Sequence, residues 1–192
     1  MLKIISTISF LLVINTCLMS QASIDYLPKS LKAELKKAAG ENVELNEIIP
    51  LPEIARTIHF GKFFTVSAPS NFSALKYIYV GRVNTCRAGG CAVKHAGNIA
   101  EESEFFDYFI LYDSTVAVQQ IKIYNYQASH GQEVTSSNWL KQFKNYNGKE
   151  ELIAGKNIDA ISGATISVDA TTFDIELRTN LLRRIIQQLA NK

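Results

Sequence analysis

The sequence predicts an α+β fold: a mainly antiparallel β-sheet packed by helices from the two ends of the chain, the last of them long. Three observations carry this. Runs rich in β-branched and aromatic residues crowd the middle of the chain, from Thr57 to Tyr126. Two of those runs flank Asp113-Ser114 and read as a hairpin. Toward the C-terminus, apolar residues recur at three- and four-residue steps, the signature of an amphipathic helix. The chain has 192 residues, enough for one domain with a sizeable core. Its net charge of +2 creates no field that would draw nucleic acid.

The first segment stands apart. MLKIISTISFLLVINTCLMSQAS has an early lysine, an apolar run from Ile4 to Met19, then small residues, with Ser20 and Ala22 at the −3 and −1 positions of a cleavage site. This is the pattern of a secretory signal peptide, and the run is short for a spanning helix. A retained membrane anchor is one alternative. A lipoprotein signal is another, since Ile14-Asn15-Thr16-Cys17 loosely follows a lipobox with the anchor on Cys17.

Residues 24–39 predict a helix after Pro28 with lysines along one face, and residues 40–56, with Pro50 and Pro52, a connection. Residues 57–67 predict a strand, or two strands around Gly61, and residues 74–83 a clear strand. Residues 104–112 and 115–126 form the hairpin; in its second arm Lys122 between Ile121 and Ile123 fits a half-buried strand. The tyrosines and phenylalanines of 105–126 are expected in the sheet core. Residues 134–146 predict a helix capped by Ser or Thr at 135–137, with Trp139, Leu140 and Phe143 on one face and Gly148 closing it. The last helix is expected from about 167 to 190, turning Ala170, Phe173, Leu177, Leu181, Ile185 and Leu189 to the core. Asp169 in its first turn and Arg183, Arg184 and Lys192 near its end match the helix dipole.

Directly before that helix lies DAISGAT, residues 159–165. Hydroxyls and N–H groups at a helix N-terminus favour an anion such as a phosphate. Gly163 permits positive φ and close approach to a ligand, and Ala164 keeps that approach unobstructed. The plainer alternative is a helix cap from Ser167 or Thr165, with Asp169 helping. The P-loop lysine and second glycine are absent, so the local physics stops at an anion site.

Asp159-Ala160-Ile161-Ser162-Gly163-Ala164-Thr165 resembles the flavinylation motif Asp-x-x-(Ser/Thr)-Gly-Ala-(Ser/Thr) of the FMN-binding domain family, with every fixed position filled. That family includes the extracytoplasmic flavin-carrying subunits of the sodium-pumping NADH:quinone oxidoreductase and of the Rnf complex, and many small exported proteins. The resemblance implies FMN joined to Thr165 by a phosphodiester, installed by a magnesium-dependent flavin transferase that uses FAD. The remaining negative charge would be stabilised at the helix N-terminus by ~0.3–1 kcal/mol. Asp159 would order the loop or assist the transferase. The likeness extends over about residues 74–190. Where the respiratory subunits carry Glu-Thr-Pro-Gly-Leu-Gly, this chain reads His130-Gly131-Gln132-Glu133-Val134, then Trp139-Leu140-Lys141-Gln142-Phe143. It is more similar to the small stand-alone exported members. His130 beside Gly131 would hydrogen-bond the flavin ring or relay its proton, or is a surface turn histidine; Trp139 would stack on the ring, or is helix core.

On this reading residues 1–22 are a signal peptide, 23–73 an N-terminal helix and lead-in strands, and 74–192 the FMN-binding domain. Export leaves Cys86 and Cys91, a pair that an oxidising compartment lets close. CRAGGC is read as a structural staple of a Gly-rich loop; the alternative is a redox-active disulfide exchanging electrons with the flavin, with Arg87 lowering a thiol pKa. Haem attachment would need histidine where Ala92 stands. Zinc would need more ligands than two cysteines and His95. His59, in an apolar strand, is read as structural.

The expected function is that of an exported electron carrier whose flavin does the redox chemistry, rather than an enzyme turning over its own substrate. Its expected partners are the transferase, a membrane-bound or exported electron donor, and a terminal reductase or similar acceptor. Two other classes stand beside this: an exported binding module without covalent flavin, and a thiol–disulfide protein built on Cys86 and Cys91.

Overall fold

A computed structural model describes residues 23–58, 60–68, 74–85 and 104–190. Residues 1–22 with Cys17, His59, and residues 86–103 with Cys86, Cys91 and His95 lie outside the described residues, as do the expectations that fall on them.

Among the described residues five strands form one antiparallel sheet in sequence order: β1 (Glu44–Glu47), β2 (Gly61–Ser67), β3 (Leu75–Asn84), β4 (Phe105–Asp113) and β5 (Val118–Tyr126). The expected α+β architecture, with a long C-terminal helix, is the one observed. Its helices are α1 (Lys29–Ala39), α2 (Pro52–Ala55), α3 (Ser137–Leu140) and α4 (Thr165–Ala190). None among the described residues is long and apolar enough to cross a membrane.

Strand alternation gives the sheet two buried faces. On one, Leu31 and Leu35 of α1 pack against Ile78, Val80, Phe109 and Leu111. At the end of that face Arg82 and Asp107 form a buried ion pair, Nε to Oδ1 2.6 Å, and Asn125 donates to the same carboxylate at 2.8 Å. On the other face Tyr79, Tyr108, Ile110 and Tyr112 meet Val168, Ile175, Leu182 and Ile185 of α4.

The hairpin forms as expected, with Asp113 as its organiser. Oδ1 accepts from the N–H groups of Thr115 at 2.8 Å and Ala117 at 3.0 Å, and from the Thr115 hydroxyl at 2.7 Å. Burial works to raise the Asp113 pKa, but these bonds and one from Gln119 outweigh it and hold the carboxyl below its usual range.

Four sequence expectations need correction. The connection at 40–56 contains β1 and α2, and β2 starts only at Gly61 as a single strand. The polar run Glu44-Leu45-Asn46-Glu47 gives no strand signal because β1 is an edge, paired among the described residues with β2 alone. The helix expected over 134–146 is broken into a 3₁₀ turn (Gln132–Thr135), α3 and a second 3₁₀ turn (Lys141–Phe143). Ser136 is extended and makes no side-chain cap, and Asn145, at φ 69°, ends the segment before Gly148. The inward stripe of α4 is also different. Leu181 and Ile185 are buried, but Phe173 is 69% exposed and Leu189 49% exposed, while Thr171, Thr172, Asp174, Arg178 and Thr179 face inward.

The reason lies across the interface. Tyr79, Tyr108 and Tyr112 are fully buried, and a buried hydroxyl needs a partner. Tyr108 donates to Asp174 Oδ2 at 2.5 Å, the Tyr112 and Thr179 hydroxyls are 3.2 Å apart, and Arg178 Nη2 lies 2.8 Å from Asp174 Oδ1. The helix turns its polar stripe inward because the sheet beneath it is lined with phenols.

Candidate functional site

The site is assembled where three segments meet at the start of α4. The first is the loop before the helix. Both main-chain groups of Asp159 are held by side chains: its N–H donates to Gln142 Oε1 at 2.7 Å, and its carbonyl accepts from Trp139 Nε1 at 2.8 Å. The Asp159 side chain is exposed. The chain then turns at Gly163, which has φ 81°, and the Ala164 N–H closes the turn onto the Ile161 carbonyl at 3.1 Å. No atom lies within 4 Å of where a Gly163 Cβ would stand, so positive φ, not crowding, favours glycine here.

The second segment is the first turn of α4, which starts at Thr165, two residues earlier than expected. The Ala164 carbonyl accepts the first helical bond, from Val168 N–H at 2.9 Å, so the capping position falls on a residue without a hydroxyl. The helix cap that stood as the plainer alternative, from Thr165 or Ser167, is therefore not made: Thr165 is already helical, and Ser167 lies in the turn with its hydroxyl turned to Tyr126. Among the described residues no acceptor meets the N–H groups of Thr165, Ile166 or Ser167. Thr165 and Ser162 are exposed, whereas Ala164 is only 2% exposed.

The third segment is the turn after β5. Gly131 has φ 82°, and a Cβ there would collide with the Ser167 hydroxyl, so the His130–Gly131 turn lies against the first turn of α4. Tyr126 fastens the two together. Its hydroxyl donates to the His130 carbonyl at 2.6 Å and, its one proton spent, accepts from Ser167 Oγ at 3.2 Å. Its ring stacks on Phe106, centroids 5.7 Å apart. Burial, the larger effect, raises its phenol pKa against the opposing bond from Ser167.

Glu104 secures the same turn from the other side, accepting from the Ser129 hydroxyl and from the Ser129 N–H. The hydroxyl bond, more than the N–H bond, holds the Glu104 carboxyl below its usual range. Because the Ser129 proton goes to Glu104, His130 Nδ1 is the donor across the 3.1 Å to Ser129 Oγ. The His130 ring is exposed.

The residues singled out in the sequence thus fall in one neighbourhood. His130 and Gly131 flank the helix start, Thr165 opens the helix, and Ser162, Gly163 and Ala164 form the turn into it. Trp139 is 8% exposed, edge-on to Phe143 with centroids 5.3 Å apart, and its indole N–H is committed to Asp159. Four contributors were not legible in the sequence: Glu104, Tyr126, Ser129 and Gln142. Tyr126 was read as sheet core, because nothing local distinguishes a strand-end tyrosine whose hydroxyl reaches a helix 41 residues away. Among the described residues no group of three or more His, Cys, Asp or Glu could hold a metal ion.

The arrangement offers an exposed hydroxyl at the positive end of a 26-residue helix, beside three N–H groups that are unpaired among the described residues. That end favours a bound or attached anion. In comparison with known proteins, residues 106–173 match the family described as the FMN-binding domain. The match runs from β4 into α4 and covers the site except Glu104. No curated protein matches the chain.

Proposed function

We propose that the chain, whose residues 106–173 match the FMN-binding domain family, binds FMN, holds it covalently through a phosphodiester on Thr165, and works as an exported electron carrier. The observation that carries the attachment is the placement of Thr165: exposed, in the first position of α4, with none of the described residues capping the N–H groups around it. Ser167 is a poor acceptor by comparison, 4% exposed and bonded to Tyr126. Ser162 precedes the helix and lacks its N–H groups.

The residues present fit a phosphate-linked flavin. The unpaired N–H groups of Thr165, Ile166 and Ser167 suit the diester oxygens, and the turn at Gly163 leaves open space for the chain of the cofactor. Attachment consumes FAD: the Thr165 Oγ–P bond forms as the pyrophosphate link breaks, AMP leaves, and the hydroxyl proton passes to solvent. The isoalloxazine ring exchanges electrons singly or in pairs; the protein orients it and sets its surroundings. A covalent tether prevents loss of the cofactor outside the cytoplasm, where no FMN pool replaces it. The apolar N-terminal run supports export, and the partners of this reading are a flavin transferase using FAD and magnesium, and membrane-bound or exported redox proteins.

The test is co-expression with a flavin transferase. The mature protein should fluoresce in a denaturing gel and gain the mass of FMN less water, and Thr165→Val should lose both signals. Label retained by that variant would refute the attachment site.

A further inference from the structure

We propose that Trp139 and Gln142 are positioning residues: together they fix the main chain of Asp159 and so aim its carboxylate at the flavin transferase while Thr165 is modified. This rests on the covalent reading above and deepens it.

The geometry is specific. The Asp159 N–H belongs to the peptide plane before the residue and its carbonyl to the plane after it, and each plane is rigid. Gln142 holds the first plane at 2.7 Å and Trp139 holds the second at 2.8 Å. With both planes held, φ and ψ of Asp159 are set, and with them the direction of its Cα–Cβ bond, which leads the carboxylate away from the loop. Yet the carboxylate is exposed and meets no partner among the described residues. It does not order the loop, since the loop is already ordered without it. A carboxylate whose main chain the fold fixes but whose oxygens it does not use stands exposed six positions before the acceptor hydroxyl. Its partner is then a cationic group that arrives with the enzyme and its magnesium–FAD substrate.

Trp139 also packs in the core, but Gln142 serves this task rather than stability. Trp139 is packed edge-on against Phe143, so its N–H direction is locked. The Gln142 amide is oriented unambiguously, because an N–H donor must meet its oxygen. That orientation leaves Gln142 Nε2 buried with no hydrogen-bond partner among the described residues. An orphaned buried donor costs about 1–3 kcal/mol. Methionine would fill similar space without that penalty. The glutamine is explained by what its oxygen holds.

The experiment measures initial rates of flavin attachment in vitro, with purified transferase, FAD and magnesium, against the concentration of the full-length mature chain. Variants are Gln142→Met, Trp139→Phe and Asp159→Asn, each alone, and Asp159→Asn combined with Gln142→Met. The first two should each lower kcat/KM for attachment about tenfold. Gln142→Met should leave Tm unchanged or raised, and its Asp159 amide should exchange with deuterium faster than in the wild type. Adding Gln142→Met to Asp159→Asn should cause no further loss, since both act through one carboxylate. The proposal is overturned if the wild type loads and the two support variants load as fast, if the losses multiply in the double variant, or if the Asp159 amide stays protected without Gln142. A wild type that accepts no flavin at all sinks the attachment at Thr165, and this inference with it.

Discussion

Arg178 shows how a single side chain can be required by one neighbour rather than by the fold as a whole. It is 7% exposed, with Nε 3.0 Å and Nη2 2.8 Å from Asp174 Oδ1 and the guanidinium carbon 5.1 Å from the centre of the Tyr79 ring. Burial opposes its charge, but Asp174 and the phenols of Tyr79 and Tyr108 outweigh that and push its pKa further up. The phenol of Tyr108 is itself held neutral by burial, with Asp174 adding to the effect. Replacing Arg178 by Met leaves Asp174 as an uncompensated buried charge, which typically costs about 3–5 kcal/mol. Urea unfolding of Arg178→Met should show a loss of that size. An unchanged midpoint would mean that Asp174 does not depend on the pair. Glycine at 131 obeys a similarly local demand, since Ser167 occupies the space of a side chain there.

Helix α4 is where pattern and packing part company. Periodicity alone places an apolar stripe on the sheet, and Leu181 and Ile185 follow it. Phe173 and Leu189 do not: they stand 69% and 49% exposed, while threonines, Asp174 and Arg178 take the inner face. A helix of mixed composition has more than one candidate stripe, and the choice is made by what it lies on. The consequence is measurable. Phe173→Ser should change stability by no more than about 0.5 kcal/mol, as at most surface positions. Ile175→Ala, fully buried two residues on, should cost about 2–5 kcal/mol. Comparable losses in both would restore the expected stripe. The segment 132–143 gives a milder version of the same lesson. Its buried side chains, Val134, Trp139, Leu140 and Phe143, are spaced as in a helix, but extended backbone at Ser136 breaks it into short turns.

Seen whole, the molecule is a meander with a separate core on each face. Strands follow one another in sequence order, so among the described residues each strand pairs with the one next to it in the chain. The α1 face carries stability, and the α4 face also carries the site. Leu31 is fully buried on the first, so Leu31→Ala should cost about 2–5 kcal/mol. Below its lowered melting temperature that variant should still accept flavin at the wild-type rate. Slower loading of the folded variant would show that the two faces are coupled through the sheet.

Much of this protein is written locally. The strands from 74 to 126, the hairpin turn at Asp113, the helix after Pro28, the long final helix and the DAISGAT motif all depend on neighbours within one element, where periodicity and spacing record them. Other features join residues far apart and leave no such trace. Tyr108 meets Asp174 across 66 positions, Tyr126 meets Ser167 across 41, and Trp139 and Gln142 reach Asp159 from 20 and 17 positions away. Folding alone brings those partners into contact, because a hydrogen bond depends on distance and angle in space and not on separation along the chain.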